Sequence, residues 1–470
     1  MVGPYAGGPP AAALLVEVPS LEKFGTDEVL RALFVGLVLT AHVVWGVLAW
    51  PVRRIGGRRI DGHKLTLADA ASIAVVNAFI VLGPTFVKLG QLMASSSGVF
   101  PKPLADACLR CLDEVPPFPA AEARALIEAD LGAPVSALFR EFDDTPLSAA
   151  SVAQVHACTL PDGRRAIIKV QRPGIRRRMR TDLSTAYLGA RILERAFEFF
   201  RIANATAIIR DLNQATACEL NSALEANRQM LLRENMWAFG DNALVTAPEV
   251  YWDYCGPRVI CMERLSGVPL DQFDKLADAG HDTTLLIRSG VKAWLESITM
   301  HGPFHGDVHA GNLWVLDEGR IALLDFGIVG ELPEVWRQIL RDMFYATAID
   351  GNFATVAQGI RGLGFATGAE ATDAEVGAQL QLVLAPVLAG DLAKLKLSEL
   401  IMSLIEVGRM WGIASPEELV LFGKQLGYFE RYATVLAPDW VIGTDLYLFR
   451  NIFPEAVERR AAELGVTLPA

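Results

Sequence analysis

Three polar side chains stand out among glycines and apolar residues in the stretch from His301 to Gly327, HGPFHGDVHAGNLWVLDEGRIALLDFG: Asp307, Asn312 and Asp325. Between Asn312 and Asp325 lie two apolar, strand-like runs, LWVL and IALL, joined by a DEGR turn, a pattern that predicts a β-hairpin. A hairpin brings its two ends together, so Asn312 and Asp325 are expected close in space although thirteen positions apart. An amide oxygen and a carboxylate so placed are hard donors that suit Mg²⁺ held against a polyphosphate. Asp307, five positions before Asn312, is expected just outside that pair, as a base or a water-orienting group. The competing reading of the same residues is a buried turn with helix-capping aspartates.

Upstream elements must supply whatever faces such a metal. Residues 146–171, PLSAASVAQVHACTLPDGRRAIIKVQ, read as a strand, a PDGR turn and a returning strand. That hairpin puts Lys169 on a strand behind a loop of small residues, Ser148, Ala149, Ala150 and Ser151. Small side chains let a backbone approach a phosphate, and a lysine is a point charge suited to phosphate oxygens. Taken alone, Lys169 would read as a surface lysine; the hairpin and the downstream acids change that. Residues 206–235 read as one helix carrying Glu219 and Glu225. Six positions apart, these two cannot face the same way, so one is available to Lys169 and the other to a second cation. The strand RVICM runs through Glu263 into a loop with Gly267, a hinge whose backbone suits the edge of an adenine.

A chain of 470 residues predicts two or three folding units. The apolar fraction of 52% and mean hydropathy of +0.30 point to membrane contact or large apolar interfaces. A net charge of −11 speaks against nucleic-acid binding. Six cysteines make no disulfide framework, and Cys108 and Cys111 read as core or helix-surface thiols. The first twenty residues are small and Pro/Gly-rich, expected as a flexible tail without the basic start of a secretion signal. The tract Ala32–Trp50 has no acidic or basic residue except His42, and Arg31, Arg53, Arg54, Arg58 and Arg59 flank it. It either spans a bilayer, with the body in the cytoplasm, or lies against a membrane or the core. Residues 68–95 read as an apolar helix broken at Gly83-Pro84, with Lys88 three positions before Gln91 on its second part. A lysine there is either snorkelling or facing a polar cavity. The run Arg176, Arg177, Arg178 and Arg180 reads as a solvated face or a contact for anionic lipid. The expected organisation is a tail, apolar helix and basic loop over 1–66, a helical extension over 67–140, a strand-containing lobe over 141–264, and a helical lobe over 265–470. In the last, joints are expected near 385–390 and 411–416.

The order of parts is a small-residue loop, a strand lysine, a helix glutamate, a hinge strand, Asp-x₄-Asn and Asp-Phe-Gly, a protein-kinase-like layout without His-Arg-Asp. These residues closely resemble the UbiB/ABC1/ADCK (AarF) family of atypical kinase-like proteins over roughly residues 70–330. The family's lysine-x-glycine-glutamine motif is matched by Lys88-Leu89-Gly90-Gln91, and its alanine-rich nucleotide loop by Ser148-Ala149-Ala150-Ser151. The resemblance implies an α+β, two-lobed kinase-like fold with the helical extension over the active site. It implies ATP and Mg²⁺ as ligands, Lys169 on the phosphates with Glu225 pairing it, Ala149, Ala150, Ser151 and Glu263 around the nucleotide, and Asn312 and Asp325 on the metal. Asp307 takes the catalytic position, and Lys88 and Gln91 enter the cavity near Glu219. It further implies membrane association and a link to isoprenoid-quinone precursors or membrane lipids, with quinone-biosynthesis proteins or a second copy as partners.

Several positions depart from the family pattern. Ser148 stands where alanine is usual, Asn221 stands at the third place of the glutamate-x-aspartate motif, and Gly306-Asp307-Val308-His309-Ala310-Gly311-Asn312 lacks the usual alanine and prolines. The functions that fit are an Mg-dependent ATPase or small-molecule kinase, a protein kinase, or a nucleotide-sensing membrane scaffold.

Overall fold

The computed structural model describes all residues except 1–2, 24, 56–58, 61–62, 96–99, 113–115, 364–371, 390–397, 399–400, 404, 406–414, 441, 443–444 and 470. The fold is α+β and divides into two compact units. One comprises Met1–Leu224 with Tyr251–Met262, the other Glu225–Val250 with Glu263–Ala470. The stretch 225–250 thus belongs with the second unit, not with the rest of 141–264.

The first unit pairs a helical layer with a four-stranded sheet. The Thr26–Ile55 helix packs along Leu67–Leu82 and against Ile175–Ala196. Leu67–Leu82 opens on a capping box between Thr66 and Asp69 and stops at Gly83, whose φ is +104°. Pro84 lacks an N–H and is favoured in the first turn of a helix, and the chain turns there into Pro84–Ser95. The sheet runs Glu141–Ala149, Ala153–Thr159, Arg165–Gln171, Val259–Glu263 in that order, and its first three strands are antiparallel neighbours. The PDGR turn and its two strands fall where the pattern places them; the Glu141–Ala149 strand was not anticipated.

Two expectations fail, one in this unit and one where the chain passes into the other. The first twenty residues are not a loose tail: Ala11–Leu14 is a 3₁₀ turn, Tyr5 is buried, and the Gly3 N–H donates to the Asp253 carbonyl at 2.8 Å. The single helix expected over 206–235 is two helices, Ala205–Glu219 and Ser222–Ala238. Asn221 makes the break, because its Oδ1 accepts the Leu224 N–H at 3.0 Å and so caps the second helix. The same side chain holds the N-terminal segment, Nδ2 donating to the carbonyls of Ala13 at 2.9 Å and Leu15 at 3.3 Å.

The second unit is mainly helical around one apolar core that includes Trp294, Phe304, Phe326, Phe344, Phe422 and Phe429. A small sheet runs Val245–Thr246, Ile321–Leu323, Leu313–Leu316, Gly267–Pro269. The Asp373–Ala389 helix runs through Pro386, so no joint precedes residue 390. Residue 390 and most of the 411–416 joint lie outside the described residues, as does Arg58 of the basic cluster.

Candidate functional site

In the second unit the predicted hairpin forms, with Leu313 opposite Leu323, Trp314 opposite Ala322 and Val315 opposite Ile321. The Leu324 N–H extends the ladder to the Asn312 carbonyl at 2.8 Å, which sets Asn312 beside the residue preceding Asp325. A second short ladder pairs Phe304 with Gly330 and His305 with Val329. Residues 306–312 and 324–328 are therefore clamped at both ends. Both loops bow out between two ladders, and Asp307, Asn312 and Asp325 all lie on them.

Side chains then fix the loops. The Asn312 Nδ2 donates to the Asp307 carbonyl at 3.0 Å, which leaves Oδ1 as its acceptor atom. Asp325 has φ +56°, the left-handed region that few residues other than glycine adopt, and its carboxylate is exposed. The Gly327 N–H donates to Asp325 Oδ1 at 3.1 Å, while Phe326 is fully buried and meets the His305 ring edge-on. Val308 is braced from the Glu417–Leu436 helix: its N–H donates to Gln425 Oε1 at 2.9 Å, and the Tyr432 hydroxyl donates to its carbonyl at 3.3 Å. The half-buried Asp307 carboxylate has His309 Nε2 3.6 Å away.

His305 is the residue that sequence reasoning overlooked. Its Nδ1 accepts the Asp307 N–H at 3.1 Å, so the ring proton sits on Nε2, which donates to the Leu324 carbonyl at 2.9 Å. One imidazole thus ties the Asp307 loop to the strand end before Asp325. Burial pushes its pKa down, opposed by the Leu324 carbonyl and by Asp307 and Asp325, and only the neutral ring can make both bonds. The signal was present as a histidine two positions before Asp307; the missing His-Arg-Asp drew attention away from it. Gly306 also has a local reason. A Cβ there would lie 2.9 Å from the Leu421 side chain and 3.0 Å from that of Ile328, so the space of the family's alanine is already filled.

Glu263 is held by side chain and backbone within this unit. Its carboxylate accepts from Arg233 at 3.4 Å and from the Glu249 N–H at 3.1 Å, and its own N–H donates to the Glu249 carbonyl at 2.8 Å. That N–H is thus engaged within its own unit. Glu225 is buried in the first turn of the Ser222–Ala238 helix.

In the first unit, Lys169 is half-buried on the central Arg165–Gln171 strand, opposite Val155. The small residues form a tighter device than a loop. Ser148 and Ala149 complete a strand, Ser151 is buried, and the Ala150 N–H closes the turn on the Ala153 carbonyl at 2.8 Å. Arg172 clamps this turn, with Nε donating to the Ala150 carbonyl at 2.9 Å and Nη2 to the Pro116 carbonyl at 2.8 Å. Gln154 holds the same incoming segment by accepting the Phe118 N–H at 3.0 Å and donating to its carbonyl at 3.3 Å.

Lys88 is ion-paired with Glu219. Gly90 sits against the Cys111 sulfur, where any Cβ would collide, and the Gln91 Nε2 donates to the Cys111 carbonyl at 2.8 Å. Cys108 and Cys111 are core residues, and burial raises the Cys108 thiol to about 12, which keeps it protonated and inert. Among the described residues no group of three His, Cys, Asp or Glu side chains makes a metal cage. The Asn312 and Asp325 oxygens suit the other arrangement, in which Mg²⁺ takes one or two protein oxygens and fills its shell with phosphate and water.

Residues 110–359 match the model of the ABC1 atypical kinase-like domain. The chain is 34% identical to an uncharacterised protein of Mycobacterium tuberculosis, over 83% of this chain and 80% of that one. It is also 34% identical to a "Probable protein kinase UbiB" of Marinobacter nauticus, covering 80% and 68% of the two chains. Identity is 30% to an uncharacterised aarF domain-containing protein kinase, chloroplastic, of Arabidopsis thaliana, covering 80% and 74%. Among solved structures, a Mycobacterium tuberculosis protein in complex with erythromycin aligns at 22% identity with a TM-score of 0.42, covering 77% of this chain and 82% of that one. The chain is a kinase-like protein. It belongs to the UbiB/ABC1 (AarF) family.

Proposed function

We propose that this protein binds Mg-ATP and transfers its terminal phosphoryl group to water or to a small molecule, in the service of isoprenoid-quinone or membrane-lipid metabolism. Asn312 and Asp325 hold Mg²⁺, Lys169 takes phosphate oxygens with Glu225 orienting it, and the Ala149–Ser151 turn and Glu263 line the nucleotide. Asp307 positions the acceptor. The reading rests on one observation above all: two ladders and His305 hold the Asp307, Asn312 and Asp325 loops in a single arrangement. Such fixed oxygens are the protein's main contribution to phosphoryl transfer, which needs positioning and charge stabilisation more than covalent chemistry. The Pro84–Ser95 helix is tied within its own unit at Lys88, Gly90 and Gln91.

The test is Mg-dependent ATP turnover with detergent or lipid added, for the wild type and Asp325→Ala. The expected result is a loss of about a hundredfold or more, because the metal's carboxylate acts in the transition state. Equal turnover in both would remove the metal assignment. Tight ATP binding with wild-type turnover no better than that of Asp307→Ala would mark a nucleotide-sensing scaffold, and a stoichiometric phosphorylated polypeptide would mark a protein kinase.

A further inference from the structure

The Thr26–Ile55 helix has two unlike faces. One is closed by its own unit. Arg31 bonds Asp182 at 2.6 Å and the Leu82 carbonyl at 2.8 Å, Gly46 lies so close to Leu67–Leu82 that a Cβ would stand 2.7 Å from Ala74's, and Trp50 Nε1 donates to the Leu65 carbonyl at 3.0 Å. The other face is a ridge of Leu30, Leu33, Leu37, Trp45, Leu48 and Val52, each between 66% and 74% exposed. At about 100° per residue these six fall within a sector of about 120°, and they run on the order of 30 Å along the axis. A length of 27 residues, Thr26–Val52, is apolar enough to cross a membrane.

We propose that this helix lies in the plane of an anionic phospholipid surface, its ridge among the acyl chains, and does not cross the bilayer. The packed face argues against crossing. It is bonded near both ends to the body of the unit, so a crossing helix would carry Arg31, Asp182 and the Asp27–Arg177 pair towards hydrocarbon. Charge identifies the occupant. Between Val29 and Ile60 the chain has five arginines, at 31, 53, 54, 58 and 59, and no acidic residue, in a protein whose net charge is −11. The exposed Arg54 stacks over Trp50 at 5.4 Å, next to the end of the ridge. An apolar stripe with an exposed tryptophan and a basic flank is the composition that seats helices among anionic headgroups. A second copy on the same ridge, laid parallel, would bring the two arginine clusters together.

This inference is independent of any nucleotide chemistry, and its test reads no turnover. The full-length protein is floated with vesicles of phosphatidylcholine containing one-quarter phosphatidylglycerol, and with vesicles of phosphatidylcholine alone. The wild type is expected to float with the anionic vesicles, and Leu37→Glu/Leu48→Glu to lose about tenfold of the bound fraction while keeping the lipid-free melting temperature, since both positions are exposed. Nitroxide labels on Leu33→Cys and on Val52→Cys, each in a Cys218→Ser background, are expected at equal shallow depth. Labels on opposite sides of the bilayer would overturn the proposal in favour of a crossing helix. Failure of the wild type to float, with a dimer that Leu37→Glu/Leu48→Glu dissociates in ultracentrifugation, would overturn it in favour of a second copy.

Discussion

The Asp307–Asp325 stretch of the second unit and the Ala150 turn of the first reach fixed geometry by different routes. In the stretch, all three polar residues fall within nineteen consecutive positions, and backbone ladders place them. In the first unit, segments from distant parts of the chain are placed by side chains: Arg172 to Pro116, Gln154 to Phe118, Lys88 to Glu219. A ladder is cooperative, so a defect in it is felt by every residue it holds. A set of side-chain ties divides the work, and each tie can be lost alone.

The contrast can be broken or sharpened by substitution. The largest effect is expected at His305, whose loss leaves the half-buried Asp307 N–H and Leu324 carbonyl without this partner. His305→Ala should cost about 3 kcal/mol in denaturant unfolding and reduce turnover along with it. Wild-type stability in that variant would mean that the ladders alone hold the loops. Arg172→Ala, which removes one tie of several, should cost about 1–2 kcal/mol and weaken nucleotide binding equally with and without Mg²⁺. Asn221→Asp should keep the helix cap but lose the two amide donors to Ala13 and Leu15. A cost of about 1 kcal/mol and faster amide exchange confined to the first twenty residues are expected.

The smallest effect is one of pH. His156 donates from Nδ1 to the Asp143 carbonyl and meets Gln154 at Nε2, and burial lowers its pKa below the ordinary 6.5. The unfolded chain therefore binds the proton more readily, so stability is full above pH 6.5 and declines as pH falls below it. His305 and His301, lowered by burial as well, add in the same direction. Replacing His156 by Gln should make the acid limb of a stability–pH curve shallower; an unchanged curve would show that His156 takes no part.

The same contrast explains what the sequence disclosed. Asn312 and Asp325 were legible from local pattern, because apolar runs and a turn dictate a hairpin whatever else the chain does. The Gly83-Pro84 break was legible because proline admits few alternatives. Lys88 was legible only as an oddity in an apolar helix, since its partner lies 131 positions away. The break at Asn221 was hidden because the residues around it suit a helix. What divides the two helices is a cap whose side chain also grips Ala13, 208 positions distant. The tight Ala150 turn is hidden in the sequence because its closing partners, Ala153 and Arg172, are ordinary residues there.

The most direct measurement is calorimetric titration of ATP, with and without Mg²⁺, into the wild type, Lys169→Met and Asp325→Ala. If Lys169 meets phosphate and Asp325 meets the metal, Lys169→Met loses affinity under both conditions, and Asp325→Ala loses only the increment that Mg²⁺ adds. Wild-type affinity for Mg-ATP in both variants would contradict the account.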